Sequence, residues 1–105
     1  MPTPRTSQFT TINSTTATEL TLPTNYSIGG GLGLLRLYND SDVDMDYVLV
    51  IDGTTPTAAT VRSSGATLLK QKSKIIQFNS QTKIFVVTDS GSAKKIDIDW
   101  FGFTF

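Results

Sequence analysis

Asp42-Val-Asp-Met-Asp-Tyr-Val-Leu-Val-Ile-Asp52 is the stretch on which the fold turns. Successive side chains of an extended chain point to opposite faces. Val43, Met45, Tyr47, Leu49 and Ile51 therefore share one face, while Asp42, Asp44, Asp46, Val48, Val50 and Asp52 share the other. The first half has one apolar and one acidic face, as a half-buried strand requires. From Tyr47 to Ile51 both faces are apolar, and Ile84-Phe-Val-Val87 repeats this. A two-layer sandwich buries only one face of each sheet, so two doubly apolar strands predict an outer face covered by a loop, a sister subunit or another protein.

Outward from this stretch, the same alternation between turn signals predicts about eight strands. They lie near Gln8 to Ile12, Ala17 to Leu22, Leu32 to Tyr38, Val43 to Ile51, Ala58 to Arg62, Lys74 to Asn79, Lys83 to Thr88, and Lys95 to Phe103, with Leu68 and Leu69 extending or preceding the sixth. Pro23-Thr-Asn25, Gly29-Gly-Gly31, Asn39-Asp-Ser-Asp42, Asp52-Gly53, Ser64-Gly65 and Asp89-Ser-Gly91 supply turn chemistry between them. No window of eleven or more residues carries apolar positions at helical spacing. The expectation is an all-β, single-domain β-sandwich, jelly-roll-like, over residues 8–105, although a small barrel shares these signals. Met1 to Ser7 holds Pro2 and Pro4 without an apolar pattern and reads as an extended arm with polyproline character. It lacks the apolar core of a secretory leader, so export by the usual route is not expected.

Composition narrows the chemistry. The 105 residues include nine Lys plus Arg, nine Asp plus Glu, and neither Cys nor His, and 38% are hydrophobic. Ser-His-Asp and Cys-His nucleophiles, thiolate chemistry and the common zinc sites are thereby removed. The reading is non-enzymatic, with no cofactor and no metal. A formal charge of zero disfavours nucleic acid, whose binders carry a basic surplus. The apolar runs are too short for a membrane-spanning helix. Zero net charge conceals asymmetry, however. Five of the nine acids fall between Asp40 and Asp52, and Lys70, Lys72 and Lys74 form a separate basic ladder that could relieve their repulsion.

Several local patterns fail on inspection. Asp42-Val-Asp44-Met-Asp46 opens like a calcium loop, but Tyr47 stands at the sixth position and Gly53 at the twelfth, where Gly and Glu are needed. A solvated acidic face is the better reading, with a cation site as its minor alternative. Gly29-Gly-Gly-Leu-Gly33 runs into a strand rather than the Gly-Lys-Ser/Thr and helix of a phosphate loop. Ser80-Gln-Thr-Lys83 and Ser92-Ala-Lys-Lys95 lack the companion motifs of Ser-Lys hydrolases. Sequons at Asn13, Asn25 and Asn39 carry no weight without a leader.

The C-terminus carries the strongest interaction signal. Ile96, Ile98 and Trp100 alternate with Asp97 and Asp99, and then Phe101, Phe103 and Phe105 continue the face of the two aspartates. One face thus changes from acidic to strongly apolar. Either the tail joins the domain's own core, or it anchors an interface. Three fully buried Phe are worth about 5 to 9 kcal/mol, comparable to the freedom lost on association. The expected interface residues are Pro2, Pro4, Arg5, Trp100, Phe101, Phe103 and Phe105, with Arg5 reaching an acidic neighbour.

Leu35-Arg-Leu-Tyr-Asn-Asp-Ser-Asp-Val-Asp-Met-Asp-Tyr-Val-Leu-Val-Ile-Asp-Gly53, Gly65-Ala-Thr-Leu-Leu69, Lys74-Ile-Ile-Gln-Phe78, Lys83-Ile-Phe-Val-Val87 and Ser90-Gly-Ser92 with Ile96-Asp-Ile-Asp-Trp100 cover about two thirds of the chain. Their rhythm resembles that of the small β-sandwich virion proteins of tailed bacteriophages. The chain departs from that pattern at Lys72 and Ser73, where a Gly often precedes the next strand. The resemblance implies a virion structural protein on the capsid surface, a decoration or cement protein that binds the major capsid protein. It implies no catalytic residues. A homo-oligomer, with a trimer favoured, fits the excess of apolar surface. A tail, fibre or baseplate component is the alternative within that class. Outside it stands a lectin-like carbohydrate-binding module, in which Tyr26, Tyr38, Tyr47 and Trp100 could stack on sugars although the alternation of Tyr47 and Trp100 reads as core, and more distantly a hydrolase built on paired aspartates.

Overall fold

The computed structural model describes residues 3–20, 33–79 and 81–102, and the side chains of 9–20, 33–79 and 81–100. Among the described residues the strands are β1 (Thr3–Ile12), β2 (Thr18–Glu19), β3 (Gly33–Asp40), β4 (Met45–Val50), β5 (Ala66–Leu68), β6 (Ser73–Phe78), β7 (Lys83–Thr88) and β8 (Lys94–Gly102), with one helix, α1 (Ala58–Ser64), between β4 and β5. They form two antiparallel sheets: sheet A in the order β1-β8-β3-β6 and sheet B in the order β2-β7-β4-β5. First pairs with last, second with seventh, third with sixth and fourth with fifth. A long hairpin wound into two sheets produces this order, and it is the jelly-roll arrangement.

The interior follows from the alternation. Leu35 and Leu37 of β3, Ile76 and Phe78 of β6, and Ile96, Ile98 and Trp100 of β8 point in from sheet A. Met45, Tyr47, Leu68, Ile84 and Val86 meet them from sheet B. Phe78 and Trp100 pack edge to face, with ring centroids 5.4 Å apart.

Three expectations need correction. Residues 58–62 form the start of α1, not a strand. Thr57 caps the helix by accepting the Thr60 N–H at 3.2 Å, Ala58 and Val61 are buried one turn apart, and the Gly65 N–H closes the end on the Val61 carbonyl at 2.9 Å. At seven residues the helix is too short to show in an eleven-residue window. The cover required by the doubly apolar strands is this same helix. Ala58 and Val61 lie on Phe85 and Val87 of sheet B's outer face together with Ala17, and Val48 and Val50 pack against that cluster. No sister subunit is needed there. Lastly, residues 3–7 are the first half of β1, paired with β8, rather than a separate arm. The edge position tolerates Pro4, which has no N–H, and the pairing shifts register between Thr3 and Thr6, the stretch that contains it.

Candidate interaction surface

The exposed face is that of sheet A. Across it run Phe9, Asp97, Tyr38 and Ser73 in one row of opposed residues, and Asp99, Arg36 and Ile75 in the next. The charges in the middle compensate one another. Arg36 Nη2 donates to Asp99 Oδ2 at 2.6 Å, and Lys95 Nζ lies 3.2 Å from Asp40 and 3.4 Å from Asp97. Those two carboxylates raise the Lys95 pKa above the usual value for lysine. At the two margins stand large apolar side chains, Phe9 on β1 and Ile75 on β6, each 65% exposed. Lys95 also sits 5.0 Å above the Phe9 ring.

One end of the sandwich is closed by polar contacts. Asn39 is fully buried, donating from Nδ2 to the carbonyls of Val43 at 2.8 Å and Leu68 at 3.0 Å, and accepting from Ser41 Oγ. Its amide has no freedom to carry a glycan. Arg62 joins α1 to the same end through Asp89 and the carbonyls of Thr88 and Ser14.

The three ladder aspartates are engaged one by one. Lys94 Nζ bonds Asp42 at 2.9 Å, the Lys70 backbone N–H donates to Asp44 at 2.9 Å, and Thr67 Oγ1 donates to Asp46 at 3.1 Å. The hydrogen bond from Lys94 is the main reason that Asp42 titrates below the usual carboxylate range. Lys70 adds a smaller electrostatic contribution, so one member of the basic ladder does reach the acidic one. Among the described residues, no cluster of three or more potential ligands could hold a metal ion. Lys74 reaches across the sandwich to Tyr47, its Nζ 5.3 Å from the ring centroid.

At the opposite end, an open groove of about 320 Å³ is lined by Val48, Leu49, Val50, Ile51, Pro56 and neighbouring polar groups. Leu49, near the end of β4, and Ile51, just beyond it, have the parity of the core face, yet both are exposed.

The anticipated interface residues divide. Trp100 is 1% exposed and belongs to the core, so it is not an interface anchor. Its inward alternation with Ile96 and Ile98 accounts for this. Pro4 and Arg5 lie in β1 and Phe101 in β8 opposite Leu34, with their side chains outside the described set. Pro2, Phe103 and Phe105 lie outside the described residues. Tyr47 is buried, which removes it along with Trp100 from a sugar-stacking platform. The exposed Ile75 was not singled out from sequence, although consecutive Ile75 and Ile76 in an alternating strand require one of them to face outward. Compared with protein-family models, curated proteins and solved structures, the chain matches none.

Proposed function

We propose that this protein is a non-enzymatic structural component of a tailed-phage virion, a decoration or cement protein that binds the major capsid protein on the shell surface. The observation that carries the reading is the jelly-roll order of the two sheets, an architecture that recurs in viral capsid domains and lectins. The rhythm of β3 to β8 supports the virion branch. Its lectin alternative loses two of its aromatic donors, since Tyr47 and Trp100 are core residues. The charges in the middle of sheet A are spent on internal bonds, and what remains for partners is apolar margin, strand edge and the exposed Lys70, Lys72 and Lys74. Assembly as a homo-oligomer belongs to the same proposal, with Phe9, Leu49, Ile51, Leu69 and Ile75 as the exposed large apolar side chains among the described residues.

Mass spectrometry and reconstruction of purified particles test the reading. Many copies distributed over the shell support decoration. A few copies at one vertex reassign the chain to the tail, and absence from particles overturns both assignments.

A further inference from the structure

We propose that the edge of β6, with which no further strand pairs among the described residues, is a docking site for an extended, acidic strand of a partner protein, which joins sheet A by main-chain pairing. This goes beyond the virion reading, since it names the chemistry of the partner segment and holds for any protein that carries one.

The phase of the edge is set by a bulge at its start. Gln71 adopts φ 58° and donates its N–H to the Asn39 carbonyl at 2.9 Å, while the Asn39 N–H donates to the Lys72 carbonyl at 3.0 Å. An antiparallel ladder alternates, so Lys74, Ile76 and Phe78 then turn their backbone groups toward β3. Ser73, Ile75 and Gln77 turn theirs to the open side. The bulge is held by its own side chain, with Gln71 Nε2 donating to the Ser41 carbonyl and Tyr38 Oη donating to Gln71 Oε1, both at 2.7 Å. The docking edge is therefore preorganised, with exposed Ile75 at its centre.

The other edges are less suited. β2 and β5 have two and three residues, short enough to be protected by length. β1 is longer but contains Pro4 and a register irregularity. At β6 the flanking charge chooses the occupant. Lys70, Lys72 and Lys74 are exposed and none forms an ion pair among the described residues, although Lys70 acts weakly on Asp42 and Lys74 lies over the Tyr47 ring. A second copy pairing through β6 would bring two such lysine sets together, which like-charge repulsion opposes. An acidic strand with apolar residues on the Ile75 face satisfies both the backbone groups and the lysines.

The test uses the full chain, labelled for amide NMR, with a peptide of alternating Glu and Val long enough to span β6, and a Lys and Val peptide as control. Saturating Glu-Val peptide should slow hydrogen exchange at Ser73, Ile75 and Gln77 by at least about tenfold, leave Ile76 and Phe78 little changed, and bind more weakly as salt is added. Ile75→Pro removes the outward N–H at an edge site and should abolish binding with the remaining amide spectrum preserved. The double variant Lys72→Glu with Lys74→Glu should reverse the preference to the Lys-Val peptide, a readout that stands even if Ile75→Pro does not fold. Equal binding of the two peptides, protection at β1 instead of β6, or protection without peptide accompanied by a rise in mass would each overturn the proposal. None of these results bears on whether the chain is present in virions, so the two readings fail separately.

Discussion

Arg62 in the last turn of α1 donates from Nε to Asp89 Oδ1 at 2.6 Å, and this pair couples the helix to the loop that follows β7. Arg62 Nη2 also donates to the Thr88 carbonyl at 3.0 Å and to the Ser14 carbonyl. One side chain thus gathers the helix, the β1–β2 connection and the end of β7. The Asp89 carboxylate is largely solvated, whereas the carbonyl contacts are partly buried, so the second set carries most of the stabilisation. Arg62→Ala is expected to cost about 1.5–3 kcal/mol, and Asp89→Ala no more than about 1 kcal/mol. Urea denaturation of the two variants checks the order.

Phe85 holds α1 to sheet B from below. It is 2% exposed and packs with Val61, Ala58 and Val87 on the side of the sheet away from the main core. Phe85→Ala should cost about 3–5 kcal/mol, as expected for a buried aromatic residue. A surface strand position would lose almost nothing, so thermal or urea unfolding decides whether this outer cluster is a second core.

Asn39 is the buried polar keystone of the closed end. Replacing it by Leu removes the donor to the Leu68 carbonyl and leaves the Val43 carbonyl to Ser41 Oγ, which lies 2.9 Å away. The expected loss is about 1–3 kcal/mol, the cost of one orphaned buried group. Denaturant midpoints for Asn39→Leu and for the exposed neighbour Asp42→Asn should separate clearly.

Glycines 53 and 65 are constrained for different reasons. A Cβ at Gly65 would lie inside van der Waals contact with the backbone carbonyls of Tyr47 and Val61, which cannot swing aside. Gly65→Ala should cost about 1–3 kcal/mol or displace the end of α1. Gly53 has open space around it but a φ of +81°, so Gly53→Ala should cost about 1–2 kcal/mol through backbone strain alone. In the first variant, chemical shifts around Tyr47 and Val61 should move. In the second, they should not.

Asp42 and Lys95 show the direction of the pH dependence at its acid and alkaline ends. Asp42 is held below its ordinary pKa of 3.8, first by the Lys94 hydrogen bond, so its contribution is present above that value and lost as pH falls through the lower folded value. Lys95 is held above 10.5, first by Asp40 and then by Asp97, so its contribution is present below 10.5 and lost as pH rises through the higher folded value. Lys94→Met should return the Asp42 titration toward its ordinary position without moving that of Lys95. Side-chain NMR titrations of wild type and variant check both directions.

Much of the fold was legible because strand alternation is a local property. Lys83–Thr88 was delimited as it stands, and β3, β6 and β8 within a few residues, since their apolar parity and flanking turns are written in adjacent positions. The same parity placed Met45 and Tyr47 in the core and required a cover over Phe85 and Val87. What supplied the cover was hidden. Ala58 to Arg62 alternates acceptably as a strand, and only the presence of an apolar sheet face beneath it makes Ala58 and Val61, one turn apart, worth burying together as a helix. Thr57 and Gly65 were the local hints of its two ends.

The site was less legible than the fold. Three aspartates at period two read as one acidic face, whereas tertiary contacts give each its own donor from Lys94, Lys70 or Thr67. Nor does alternation say which strands are edges. The sequence by itself determined that this chain is an all-β domain without thiol or imidazole chemistry, because composition and period-two patterning need no partner to be read. Only the tertiary structure decided that α1 covers the outer face of sheet B and that, among the described residues, β6 ends sheet A, because cover and edge position depend on which distant element lies alongside.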